Sequence, residues 1–162
     1  MGPLEKLLNL DPDDWRFYAM LADAQVGLGD DGDAAAAASS GIDRLNDSFD
    51  PRQGETPQHQ AAVAHMATVG GEAWIRIKEY GIGISMLESE AEIDPDKGLA
   101  YARLCTTLYD IGRTDGAVEA CSQAITADSS RPDAYFVKGW ATLAAKTTGP
   151  NAESRRTPYV TT

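Results

Sequence analysis

Two histidines, two cysteines and the Gly81-Ile82-Gly83 segment are the residues of this chain that could most readily do chemistry. His59 and His65 are six apart and have no cysteine or His-x-x-x-His companion, so the spacing of a chelate is missing. Cys105 and Cys121 do not form a C-x-x-C pair, and two cysteines are too few for a disulfide scaffold. Gly81-Ile82-Gly83 would cradle a phosphate only after a strand, and it lies within a helical pattern instead. No G-x-S-x-G, H-E-x-x-H or Walker motif occurs. An enzyme needs a positioned nucleophile, base or metal. None is assembled here, so the sequence predicts a non-enzyme with no catalytic residue, no metal ligand and no cofactor.

The elements that would have to position such groups repeat. Tyr101 and Tyr135 stand 34 residues apart, and each opens a helical pattern. A 34-residue frame starting at Gly98 puts Tyr101 at position 4, Cys105 at 8, Gly112 at 15, Ala117 at 20 and Cys121 at 24. Set back to Ala64, the frame places Gly71 at 8, Gly83 at 20, Leu87 at 24 and Pro95 at 32. An earlier unit from Trp15 gives Tyr18 at 4, Ala22 at 8, Gly29 at 15 and Ala34 at 20. Two antiparallel helices approach closely only where the facing side chains are small. Positions 8 and 20 meet that demand in all three units: Ala22 with Ala34, Gly71 with Gly83, Cys105 with Ala117. Gly29 and Gly112 fall where a first helix must stop in the left-handed conformation. Asp-Pro-Asp segments at 11–13 and 94–96 end one unit and cap the next.

These residues resemble the tetratricopeptide repeat, with its aromatic at 4, small residues at 8 and 20, and Pro at 32; the likeness covers residues 4–146. The resemblance implies an all-α fold of antiparallel helix-pair repeats, about seven helices stacked as a right-handed superhelical solenoid. The expected organisation is a partial repeat over 4–14, repeats over 15–45, 58–97 and 98–131, a partial repeat over 132–146 and a flexible tail over 147–162. A breaker-rich stretch at 46–57 is expected as a loop, because fifteen residues more than one repeat separate the first two units. Gly70 at position 7 and Glu90 at 27 depart from the pattern and point to a distorted middle unit or a shifted second helix. In this frame Cys105 and Cys121 are diagonal neighbours, too far apart for a relaxed disulfide, and are expected as two reduced core residues.

Charge narrows the partners. The net charge is −11, and residues 1–50 hold eleven acids against three bases. Nucleic acid needs clustered Lys and Arg, so it is excluded. The first residues lack the basic-then-apolar pattern of a signal peptide, and no apolar run is long enough for a membrane span. The chain is expected to be soluble, with no membrane partner; its compartment is left open.

In the resembled family the first helices line a concave groove, and positions 2, 5, 9, 12 and 13 point into it. The residues this nominates as the partner-binding groove are Arg16, Asp23, His65, Glu72, Arg76, Tyr109, Asp110, Phe136 and Trp140. The family's carboxylate clamp has Lys and Asn at 5 and 9, which Ala19, Asp23, Thr68 and Glu72 do not match. Phe136 and Trp140, one turn apart, are either binding anchors or packing for a further repeat. Residues 4–10 look like a second helix without its first, and 132–146 like a first helix without its second, with Gly139 at position 8. That predicts a piece of a longer protein, or self-association through open repeat ends. The expected function is a non-catalytic scaffold that binds a peptide or helix of a partner protein in the groove. The alternatives are a structural spacer in a multidomain protein or an all-helical small-molecule-binding domain.

Overall fold

The computed structural model describes Lys6 and residues 11–50, 56–94 and 96–148, and among them there are seven helices and no strand. The chain divides into two units, Met1–Pro95 and Asp96–Thr162. The first unit holds α1 (Trp15–Leu28), α2 (Asp31–Asp47), α3 (Pro57–Arg76) and α4 (Tyr80–Ile93). The second holds α5 (Lys97–Asp110), α6 (Thr114–Ala127) and α7 (Pro132–Thr148). Of the expected partial helix at 4–10 only Lys6 is described, and it is helical; residues 149–162 of the expected tail lie outside the described residues, while Thr147 and Thr148 complete α7.

Short polar side chains start α1, α2, α3 and α5, as their oxygens satisfy backbone N–H groups left free in a first turn. Asp14 accepts from the N–H of Arg16 at 3.0 Å, Asp96 from Leu99 at 3.0 Å, and Thr56 from His59 at 3.1 Å. The three hairpin turns are built alike. In each, an N–H reaches back five residues, Asp30 to Gln25 and Glu79 to Trp74 at 2.9 Å, and Arg113 to Leu108 at 2.8 Å. The fifteenth position is left-handed every time: Gly29 at φ 77°, Gly112 at φ 82° and, in the middle hairpin, Lys78 at φ 70°. Glycine adopts this conformation freely and lysine does not. The turn of the middle hairpin is therefore not distorted, although its sequence lacks the glycine.

Inside the pairs, close approach rests on the small residues. A Cβ on Gly83 would lie 2.7 Å from the carbonyl oxygen of Gly71, so these two backbones touch where α3 crosses α4. Ala22, Ala34, Cys105 and Ala117 are all buried. Gly70, out of place for the repeat pattern, serves a three-helix junction. A Cβ there would meet Ala38 of α2 at 2.8 Å and Met86 of α4 at 2.7 Å. Glu90, the other departure, is fully buried in α4.

The extra residues between the first two hairpins lengthen helices as well as the connection. α2 has 17 residues and α3 has 20, against 14 in each of α1, α4, α5 and α6. Asn46 and Asp47 are the last residues of α2 and Pro57 the first of α3, so the expected loop at 46–57 is helical at both margins; residues 51–55 lie outside the described residues.

The expectation of free thiols is corrected: Cys105 of α5 and Cys121 of α6 form a disulfide, with Cα atoms 5.0 Å apart. Treating position 8 as facing position 20 alone is too coarse. A side chain packed between helices sits in a hole bounded by residues one turn apart, so position 8 can meet position 24 as well as position 20. Closing a loop of this size stabilises the fold by roughly 3 kcal/mol in chain-entropy terms.

Candidate functional site

The site with the most binding capacity is on α7. Pro132 starts the helix where a missing N–H costs nothing, and Asp133 favours the positive end of the helix dipole. Ala134 and Ala141 are buried within the second unit, where Ala134 packs with Ala102 and Ala124 and against Tyr101 and Ile125. Away from that contact the helix is apolar again. Tyr135 is 52% exposed, Phe136 67%, Trp140 49% and Leu143 54%. With Gly139 they occupy a stripe of roughly 140° at about 100° per residue. A helix that is apolar on both sides has the composition of a buried element. The rings of Phe136 and Trp140 meet edge to face, centroids 6.0 Å apart, which pre-forms an aromatic surface. Such a surface can bind.

The groove residues of the first unit are occupied with one another. Asp23 of α1 and His65 of α3 join side chains at 3.1 Å, which holds the two first helices together at this level. Arg76 at the end of α3 donates to Asp31 at the start of α2 at 2.7 Å, and also pairs with Glu72 at 3.5 Å. Its charge, expected to face a ligand, is compensated twice within the unit. Arg16 pairs with Asp14 at 3.4 Å and lies over the Trp15 ring, 5.6 Å from its centre. In the second unit Tyr109 is half-buried and Asp110 exposed at the end of α5, while Phe136 and Trp140 stand on α7. Of the nine nominated residues, the five of the first unit are paired within that unit, Phe136 and Trp140 form an open aromatic pair, and Tyr109 and Asp110 belong to neither set.

A cleft of about 420 Å³ between α2, α3 and α4 has no counterpart in the sequence-based expectations; Ile42, Asn46, His59, Val63, Met86 and Ser89 are among its walls. His59 and Val63 belong to the early turns of the lengthened α3. The imidazole of His59 packs on Phe49 at 5.0 Å, and both its ring nitrogens are buried with no hydrogen-bond partner among the described residues. The one available signal is the long spacing between the first two hairpins, assigned above to a loop.

Asp128, after α6, accepts from the Ser130 hydroxyl at 2.7 Å and its N–H at 2.9 Å, and these bonds hold its carboxyl below the usual carboxylate range. The Arg44 guanidinium is raised, chiefly by hydrogen bonding with Tyr18. Among the described residues no group of three or more His, Cys, Asp or Glu could hold a metal ion, and no helix is long and apolar enough to cross a membrane.

No protein-family model matches the chain, and no curated protein does. The chain is similar to a solved structure described as the crystal structure of MamA, with a TM-score of 0.68 and 20% identity over 94% of this chain and 78% of that one. A second MamA structure scores 0.45 at 18% identity, covering 82% of this chain and 83% of that one. A point mutant of MamA scores 0.42 at 15% identity, covering 86% and 90%. The first of these likenesses and the seven helices define an all-α helical-repeat protein. At this identity the likeness concerns the fold alone.

Proposed function

We propose that the chain is a non-catalytic interaction scaffold that binds a peptide or helix of a partner protein, with the exposed stripe of α7 as its principal contact in the second unit. The observation that carries this reading is the Phe136–Trp140 pair. Two large aromatics in edge contact stand more than one third exposed on a rigid helix, where none of the described residues covers them. Aromatic anchors on a fixed support supply most of the energy of many interfaces, because their burial costs little side-chain entropy. Arg16, Asp23, His65, Glu72 and Arg76 are already paired within the first unit. Tyr109 and Asp110 add a polar margin on α5.

Peptides selected on this chain from a display library provide the test. Trp140→Ala is expected to weaken the selected ligands by about 2 kcal/mol or more. Glu119→Ala, on the exposed side of α6, is expected to leave them unchanged. Equal affinity for wild type and Trp140→Ala across the selected ligands would remove α7 as the site.

A further inference from the structure

The extra residues between the first two hairpins build more than a connection. They lengthen α2 and α3, and the early turns of α3 then form part of the cleft between α2, α3 and α4. The three helices meet at Gly70, against Ala38 and Met86. Otherwise α2 and α4 pack on α3 and not on each other, which leaves a furrow between them. Its volume, about 420 Å³, is at the small end of ligand pockets, which run from roughly 300 to 1,000 Å³. Ile42, Val63, Ala67 and Met86 make part of the wall apolar. The polar part is rich in acceptors. Ser85, Ser89 and Glu92 follow at i, i+4 and i+7 on one face of α4, with Asn46 on α2. The Ser89 hydroxyl already donates to the Ser85 carbonyl at 3.0 Å, so its lone pairs are left to accept. Glu92 is exposed, is the one charged residue among the described residues of the wall, and has no ion-pair partner among the described residues. His59 adds two buried ring nitrogens without a partner among the described residues. Buried polar groups are nearly always hydrogen-bonded, and one left alone costs stability.

We infer that this cleft binds a small organic cation, a primary amine on an apolar body, with the ammonium at Glu92 and the body against Ile42, Val63 and Met86. A primary ammonium has three donors and no acceptor, which matches a wall of carboxylate, hydroxyl and amide oxygens. A neutral imidazole has one accepting nitrogen, and in the amine His59 finds the partner that the fold does not give it. An anion would meet Glu92 and find no Lys or Arg among the described residues of the wall. Glu88, one turn before Glu92, and Asp43 of α2 deepen the negative field, while Arg44, the one base of α2, is paired with Asp13 and Asp47. A small molecule fits the volume better than a helix does, since a helix is about 10 Å across with its side chains. The site lies within the first unit and is independent of the scaffold reading of α7.

The probes are tryptamine, the neutral alcohol tryptophol and the anion indole-3-propionate, which share one apolar body and differ in charge. Hexylamine serves as a second amine with an aliphatic body. Binding to the full chain is followed by calorimetry and by the backbone amide resonances of Val63 and Ser89. Tryptamine is expected to bind and to shift both resonances, with tryptophol weaker by about tenfold or more and the anion weaker still. Glu92→Gln is expected to weaken tryptamine about tenfold and to leave tryptophol unchanged. His59→Phe keeps a ring of similar size and removes the two unpartnered nitrogens. It is expected to melt no earlier than wild type and yet to bind tryptamine more weakly, which separates loss of the site from loss of the fold. Trp140→Ala is expected to leave tryptamine binding unchanged, so the cleft and the α7 reading stand or fall separately. Equal binding of tryptamine and tryptophol, undiminished binding to Glu92→Gln, or no binding of either amine overturns the inference. So do resonance shifts confined to the second unit. A gain in tryptamine affinity in Arg52→Ala overturns it as well, since the cleft would then receive the chain's own guanidinium; Arg52 lies outside the described residues.

Discussion

The α3–α4 hairpin and the solitary α7 carry the same small residue in the same place and put it to opposite use. Gly71 is pressed between Leu87 and the backbone of Gly83, so its missing side chain is what allows two helices to cross. Gly139 faces open space, flanked by exposed Tyr135 and Leu143. In the first region, glycine exchanges helix propensity for packing. In the second the propensity is lost and no packing among the described residues returns it. A sequence shaped for contact on a surface that lacks it is the physical ground for assigning the partner contact to α7 and not to the hairpins.

Substitutions of opposite sign would break or sharpen the contrast. Among the glycine and turn substitutions the largest effect is expected at the closed contact. Gly83→Val drives a side chain into the Gly71 carbonyl 2.7 Å away and into Ile75, and is expected to destabilise by about 1–3 kcal/mol in urea unfolding. No loss would mean that the two helices are not in close contact. Gly139→Ala is expected to stabilise by up to about 1 kcal/mol, because the new methyl meets nothing and the helix gains propensity. A loss there would show that α7 is already covered. The smallest effect is expected at the turn of the middle hairpin. Lys78 holds a left-handed conformation, φ 70°, that its neighbours assign to glycine, so Lys78→Gly is expected to raise stability by some tenths of a kcal/mol to about 1, read from the thermal midpoint.

The hairpins are legible in the sequence because their constraint is local and steric. Small residues twelve positions apart, and Gly29 and Gly112 at the turns, leave few other ways to pair helices. The middle hairpin reads as distorted in sequence because Gly70 and Glu90 break the letter pattern, and Lys78 holds a turn position that glycine holds in the other two hairpins. Yet a lysine can adopt the turn at modest cost, and Gly70 admits Ala38 and Met86. What is not legible depends on contacts between distant residues. Arg76 looks like a free charge until Asp31, 45 residues earlier, is placed 2.7 Å from it. The disulfide escapes for a geometric reason, since a frame that pairs one position with one position overlooks the turn beside it. The site on α7 is half legible. Phe136 and Trp140 can be named as a pair from their spacing, but whether anything covers them is a question of tertiary structure.

The central claim is that the aromatic stripe of α7 serves binding and not folding, and chemical denaturation of two truncations tests it without any partner. Leu87→Ala empties a fully buried position in α4 and is expected to cost about 2–5 kcal/mol. Trp140→Ala, in the same buffer, is expected to stay within about 0.5 kcal/mol of wild type, as exposed substitutions do. A loss at Trp140 of the size seen at Leu87 would show that the ring is part of the core and would contradict the account.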